Sequence, residues 1–250
     1  MIRRILSFVC ILLLLATQAS HAGEVAVAVA ANFTTPMKKL AETFEQETGH
    51  RVRMTAGSTG KFYAQIRNGA PFDVLLAADA ETPEKLEKEG LGVAGTRFTY
   101  AVGRLALWSP RAGMVDDRGE VLKKGGFAHL AIANPKLAPY GVAAMDTLRA
   151  LGVLGEVQDK LVLGENIAQT FQFVASGSAE LGFVALSQIT EDGQRKPGSA
   201  WIVPANLHAP IRQETILLQR GKGNAAAEAL LRYLNTEPAK NLIRQSGYSL

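Results

Sequence analysis

Apolar positions along this chain alternate between the period of a strand and the period of a helix. Glu24 to Ala31 reads EVAVAVAA, with Val at 25, 27 and 29 between Gly23 and Asn32. A short run rich in β-branched residues predicts a buried strand. From Pro36 to Thr48 the apolar residues fall at Met37, Leu40, Ala41 and Phe44, the spacing of one helix face. Thr34 or Thr35 can cap that helix, Pro36 suits its first position, and Gly49 stops it. Arg51 to Ala56 predicts a second strand, Gly60 to Asn68 a helix with Phe62, Tyr63 and Ile66 inward, Asp73 to Ala78 a third strand, and Pro83 to Glu89 an exposed helix. This β-α-β-α-β-α order argues for a mostly parallel sheet flanked by helices.

Near Ala101 the pattern changes. Tyr100 to Trp108 (YAVGRLALW) predicts one strand crossing between two lobes. Leu130 to Ala133, Gly141 to Leu151, Asn166 to Ser176 and Leu181 to Ala185 then read strand, helix, helix, strand. Thr190 to Ala200 is polar with Gly and Pro and predicts a surface loop. Short strands are expected at Trp201 to Val203 and Arg212 to Leu218, and closing helices at Asn224 to Leu234 and Glu237 to Ser246. Two α/β lobes with a double crossover explain this layout, the first from 23–102 plus 205–250 and the second from 103–204. A single doubly wound domain is the alternative.

The N-terminus lies outside this alternation. Arg3 and Arg4 precede an apolar run from Ile5 to Ala16 broken only by Ser7, and Ser20-His21-Ala22 places small residues before a cleavage site. That is the layout of a secretory signal peptide, 1–22, and the run is shorter than the ~20 residues of a spanning helix. A retained membrane anchor is the alternative. Export to the periplasm as a soluble chain is expected. The single cysteine, Cys10, leaves with the leader, so the mature chain offers neither disulfides nor thiolate ligands. Without Arg3 and Arg4 the chain has 25 basic and 23 acidic residues. That near-neutral balance argues for no nucleic-acid partner and no anionic membrane surface.

Candidate chemistry concentrates at four strand-to-helix junctions: Ala30-Ala31-Asn32-Phe33-Thr34, Ala56-Gly57-Ser58-Thr59-Gly60, Asn134 to Gly141 (NPKLAPYG) and Gly164-Glu165-Asn166-Ile167. Each presents free backbone N–H groups and the positive end of a helix dipole, which hold an anion without Lys or Arg. Asn32, Ser58, Thr59 and Tyr140 add side-chain donors. Taken singly, each junction also reads as ordinary helix capping.

Enzyme signals are weak by comparison. Gly57 to Lys61 (GSTGK) lacks the spacing of a phosphate loop, and Lys61 reads as a solvated helix residue. His50, His129 and His208 are isolated, whereas metal sites need clustered ligands. Asp73 and Asp79 bracket a strand like a carboxylate pair, but Asp79 reads as a turn cap. Trp108 and Trp201 read as packing residues rather than a sugar platform.

The first two junctions, with Gly69-Ala70-Pro71-Phe72-Asp73 and Ala77-Ala78-Asp79 after them, resemble the periplasmic molybdate-binding protein family. The likeness continues through Leu130 to Pro135, Ala138-Pro139-Tyr140-Gly141, Gly164 to Ile167, Leu181-Gly182-Phe183-Val184 and Ser246-Gly247-Tyr248, covering nearly all of 24–250. The resemblance implies a type II periplasmic-binding fold, each lobe a mostly parallel sheet flanked by helices with the ligand cleft between them. It implies capture of molybdate or tungstate for an ABC permease, by a monomer without catalysis, cofactor or direct metal-ion ligands. By the same resemblance the oxyanion contacts are Asn32, Ser58, Thr59, Tyr140 and the N–H of Ile167. A tyrosine that several members carry after the Gly-Phe-Val-like strand is Ala185 here, and Tyr140 is expected to replace it from the opposite wall. A binding protein for sulfate or another solute, and an exported α/β enzyme, are the alternatives.

Overall fold

A computed structural model describes residues 22–250; the signal peptide expected at 1–22 falls, except for Ala22, outside the described residues. Strand β1 (Glu24–Ala30) is followed by a 3-10 turn (Ala31–Phe33) and helix α1 (Thr34–Thr48). Then come β2 (Arg51–Gly57), α2 (Thr59–Arg67), β3 (Val74–Leu76), α3 (Glu81–Lys88) and β4 (Phe98–Gly103). The chain next builds β5 (Leu105–Ser109), α4 (Val121–Lys124), β6 (Leu130–Ala133), α5 (Pro139–Ala150), α6 (Leu154–Val157), β7 (Leu161–Gly164), α7 (Ile167–Ala175) and β8 (Leu181–Ala185). A small hairpin, β9 (Thr190–Glu191) and β10 (Gln194–Arg195), precedes β11 (Ser199–Ile202). The chain ends with β12 (Ile211–Leu217), α8 (Ala225–Leu234) and α9 (Glu237–Gln245).

These strands form two five-stranded sheets, ordered β2-β1-β3-β12-β4 and β11-β5-β8-β6-β7. In the first, β1 is parallel to β2 and β3, and the late strand β12 enters antiparallel between β3 and β4. In the second, β6 is parallel to β7 and β8, and β5 runs antiparallel to β8 and β11. Both sheets are thus mixed, parallel-rich and flanked by helices, the two-lobed architecture expected.

Strand β1 shows why its sequence is apolar throughout. Val25, Val27 and Val29 pack with Phe33, Met37, Leu40 and Phe44 on one face of the first sheet, and Ala28 packs with Phe62, Ile66 and Leu86 on the other. Successive strand residues point to opposite faces, so a strand covered on both carries no polar alternation. Gly49 ends α1 with φ at 71°, and its N–H closes on the Glu45 carbonyl. A left-handed C-cap of this kind favours glycine.

Three local expectations change. Tyr100 to Trp108 is not one strand but parts of two, broken at Arg104, because its halves belong to different sheets. The segment after Thr190 is not irregular throughout: Asp192 and Gly193 both take positive φ, 48° and 77°, and turn β9 into β10. Asp-Gly is a strong signal for such a hairpin turn. The edge strand β7, implied only by the strand-to-helix junction at Gly164, is four residues long and gains its identity from pairing with β6.

Candidate functional site

The four junctions meet. Asn32, Ser58, Thr59, Tyr140 and Ile167 all line one small cavity between the lobes, with the backbone of Ala30, Ala31, Gly57, Ala138, Pro139 and Asn166 around them. Parallel pairing brings this about. It puts Ala30 level with Gly57 in the first sheet and Ala133 level with Gly164 in the second, so the chain leaves both pairs of strands at the same end. Ligands in open α/β sheets bind at such carboxyl ends.

Ser58 is the most informative residue of the wall. It occupies the N-cap position of α2 in extended conformation, yet its side chain makes no cap bond. It is 3% exposed, and its Oγ has no hydrogen-bond partner. A buried polar group left this way costs about 1–3 kcal/mol, and this one belongs to a residue that lines the cavity. Beside it, Thr59 Oγ1 accepts from the Ala78 N–H at 3.0 Å, which leaves the hydroxyl proton free. The Thr59 N–H is the first of its helix and has no intrahelical acceptor. Gly60 completes this wall. Its N–H reaches across to the Leu137 carbonyl at 3.0 Å, and a Cβ there would lie 3.1 Å from that oxygen.

The opposite wall is built from α5 and α7. Asn166 caps α7 by accepting from the N–H groups of Ala168 and Gln169 at 2.9 and 3.0 Å. This cap passes over Ile167, whose N–H remains as the first free donor of the helix. Gln188 braces the same turn, donating to the Ile167 carbonyl at 2.9 Å. Tyr140 lies in the first turn of α5 and is 1% exposed. Its hydroxyl accepts from Gln213 Nε2 at 3.2 Å. Burial pushes the Tyr140 phenol well above the ordinary tyrosine range and Tyr248 adds to this, while the Gln213 hydrogen bond opposes it. The phenol therefore keeps its proton at neutral pH.

Asn32 sits in the 3-10 turn after β1 with its side chain held from behind. Its Nδ2 donates to Gln213 Oε1 at 2.8 Å and to the Tyr248 hydroxyl at 3.0 Å. Its carbonyl accepts from Ser187 Oγ and from Tyr248 at 3.1 and 2.8 Å. The structure brings all five expected residues together, but it ties two of their side chains, Asn32 and Tyr140, into a buried network behind the cavity.

The cavity has no charged side chain among its lining residues. The nearest ion pair is at the rim, where Lys61 of the first lobe meets Glu165 of the second at 2.6 Å, both about half exposed. Lys61 is thus a cross-cleft partner as well as a solvated helix residue. Helix N-termini and neutral hydroxyls supply the positive potential. Such a site accepts a small anion rich in acceptors.

The remaining candidates are structural. Asp73 accepts from the Ala26 N–H at 2.8 Å and pairs with Arg220 at 2.5 Å. Asp79 accepts from the Thr82 N–H and hydroxyl at the start of α3, and burial raises its carboxyl against these bonds. Ala185 is buried at the end of β8, its N–H on Gln188 Oε1 at 2.9 Å. It is not among the residues lining the cavity. Trp108 stacks on Phe171 and Trp201 packs in the second core, as expected of packing residues. Among the described residues no three His, Cys, Asp or Glu side chains gather as a metal site.

Sequence reasoning missed Gln213, Ser187, Tyr100 and Gln188, and it quoted Tyr248 only as part of a motif. The one local signal was Arg212-Gln213-Glu214-Thr215, four polar residues in succession within a strand, of which all but Arg212 are buried.

Residues 25–249 match the bacterial extracellular solute-binding protein family. The chain is 59% identical over 232 residues to the molybdate-binding protein ModA of Azotobacter vinelandii, covering 93% of this chain and 92% of that one. It is 49% identical to ModA of Rhodobacter capsulatus over 91% of this chain and 88% of the relative. The solved structure of the periplasmic molybdate-binding protein of Azotobacter vinelandii superposes with a TM-score of 0.88 at 42% identity, covering 90% of this chain and 99% of that one. The chain belongs to the bacterial extracellular solute-binding proteins and, within them, to the family of the molybdate-binding proteins.

Proposed function

We infer that this protein binds molybdate between its lobes and delivers it to the permease of an ABC importer, with tungstate as a second cargo. The observation that carries this reading is the buried, unpartnered Ser58 hydroxyl in a cavity walled by helix N-termini. Molybdate and tungstate are fully deprotonated at neutral pH and offer only acceptors. Hydroxyls and backbone N–H groups match them, each charged hydrogen bond contributing about 1.5–3 kcal/mol. Molybdenum arrives already surrounded by its oxygens, so neither a cofactor nor a metal-ligating side chain is required. The Ser58 hydroxyl has no base against it among the described residues, which favours binding over nucleophilic chemistry. Export by the leader and action as a periplasmic monomer complete the reading.

Calorimetry on the mature chain tests it. Molybdate and tungstate should bind well above sulfate, and phosphate, whose protonated form brings a donor to a wall of donors, should not bind measurably. Sulfate binding as tight as molybdate would refute the selectivity and leave oxyanion binding standing. No heat with any of the four would refute the site.

A further inference from the structure

Behind the cavity lies a buried polar cluster that no ligand contact accounts for, and Gln213 is its centre. Gln213 is 0% exposed and sits in β12, one of the strands nearest the crossover between lobes. The pairing of β12 with β4 shifts register between Gln213 and Glu214. A bulge of this kind re-aims a side chain. Gln213 Oε1 accepts from Asn32 Nδ2 at 2.8 Å and from the Tyr100 hydroxyl at 3.0 Å. Its Nε2 donates to the Tyr140 hydroxyl at 3.2 Å. One neutral amide thus touches a cavity residue of each lobe. The contact has been given room: a Cβ at Gly103 would lie 2.2 Å from the Tyr140 hydroxyl and 2.7 Å from Gln213 Nε2.

An amide accepts at one end and donates at the other, and the ends are nearly equal in shape. With Oε1 toward Asn32, both protons of the Asn32 amide are taken, by Gln213 and Tyr248, and its own oxygen is left over. Tyr140 then receives a hydrogen bond and keeps its proton for the cavity. With the amides reversed, Asn32 would accept from Gln213 and free its NH2, while Tyr140 would give its proton to Gln213. We propose that Gln213 is a positioning residue of the oxyanion site: its amide allots donors between Asn32 and Tyr140, so that one of them and not both faces the ligand with a donor. The proposal rests on the oxyanion reading of the cavity. The titratable groups about Gln213 are the phenols of Tyr100, Tyr140 and Tyr248, all pushed upward first by burial. The neighbouring Glu214 is turned to Arg97 and Arg212 at 2.9 and 3.0 Å.

The test uses Gln213→Glu and Gln213→Met in the mature chain, with molybdate as the probe. Ionised, the new carboxylate is acceptor-only and takes protons from both Asn32 and Tyr140 beside a dianion. Molybdate affinity of Gln213→Glu should therefore fall roughly a hundredfold or more. Burial raises that carboxyl, so affinity should be partly present at about pH 6, where the neutral form can donate, and lost toward about pH 8.5. Wild type should not share this profile, which a merely structural role would not produce. In Gln213→Met all three side-chain hydrogen bonds go and volume stays. Tyr140→Phe, expected to weaken wild type roughly tenfold or more, should then cost less than about threefold in the Met background, because the two act as one unit. Should the Glu variant fail to fold, the Met pair carries the test alone. Equal effects of Tyr140→Phe in both backgrounds, or a folded Gln213→Glu that binds within twofold of wild type across the range, would overturn the proposal. Failure of wild type to bind molybdate would instead overturn the oxyanion reading.

Discussion

The two helix starts that face each other across the cavity solve the same capping problem in opposite ways. At α7 the Asn166 side chain is bound to the N–H groups of Ala168 and Gln169, so this end contributes only backbone, through Ile167. At α2 the Ser58 side chain stands at the same position and makes no cap bond, so this end contributes a hydroxyl as well as the Thr59 N–H. Both residues belong to the usual N-cap set. The difference teaches that the same kind of residue closes its helix where its oxygen faces that helix and leaves an unpartnered hydroxyl at the cavity wall where it does not. Stability and affinity should accordingly separate at the two ends.

The largest expected effect is at Ser58. Ser58→Ala removes a buried hydroxyl that has no hydrogen-bond partner, so the free protein should lose no stability and should gain up to about 1–3 kcal/mol. Molybdate binding should weaken by about 1.5–3 kcal/mol, roughly tenfold to more than a hundredfold in Kd. Thermal unfolding with and without molybdate reads both quantities. A loss of stability with unchanged affinity would make Ser58 a cap after all.

Asn166→Ala should give the reverse balance. Losing the cap should cost about 1 kcal/mol of folding stability. Affinity should fall less than about tenfold, since the Ile167 N–H remains but its turn is less well fixed. Denaturant melts of the free variant measure the first number and calorimetry the second. Affinity loss exceeding that of Ser58→Ala would erase the contrast.

The smallest effect is expected where the two walls touch at the rim. Lys61 and Glu165 are both about half exposed, and surface pairs of this kind contribute roughly 0–1 kcal/mol. Lys61→Met should reduce molybdate affinity by no more than about fivefold at low salt, and the difference should shrink as ionic strength rises. A salt-independent loss would mean that Lys61 acts on the ligand itself.

Much of this architecture could be read before any coordinates. The EVAVAVAA run, the Met37-Leu40-Phe44 face and the Gly49 stop are local patterns whose causes lie within a few residues. The helix starts that carry the five cavity residues were legible from local capping chemistry, while the five were singled out by the family resemblance. What failed were features whose cause lies elsewhere in the chain. Strand β7 is a strand because β6 runs beside it. Tyr100 to Trp108 breaks in two because its halves join different sheets.

The sequence by itself therefore determined the kind of fold, the helix starts that line the cavity, and the neutral, donor-rich character of that lining. Those depend on periodicity, caps and composition, which are short-range. Only the tertiary structure decided which donors are free. Ser58 is unpartnered because nothing arriving from elsewhere in the fold meets its hydroxyl. Asn32 is committed because Gln213, 181 residues away, and Tyr248, 216 residues away, converge on its amide. A hydrogen bond needs its partner within about 3 Å, and over such sequence distances only the folding of the first lobe, which returns the C-terminal segment to the sheet that holds β1, brings one there.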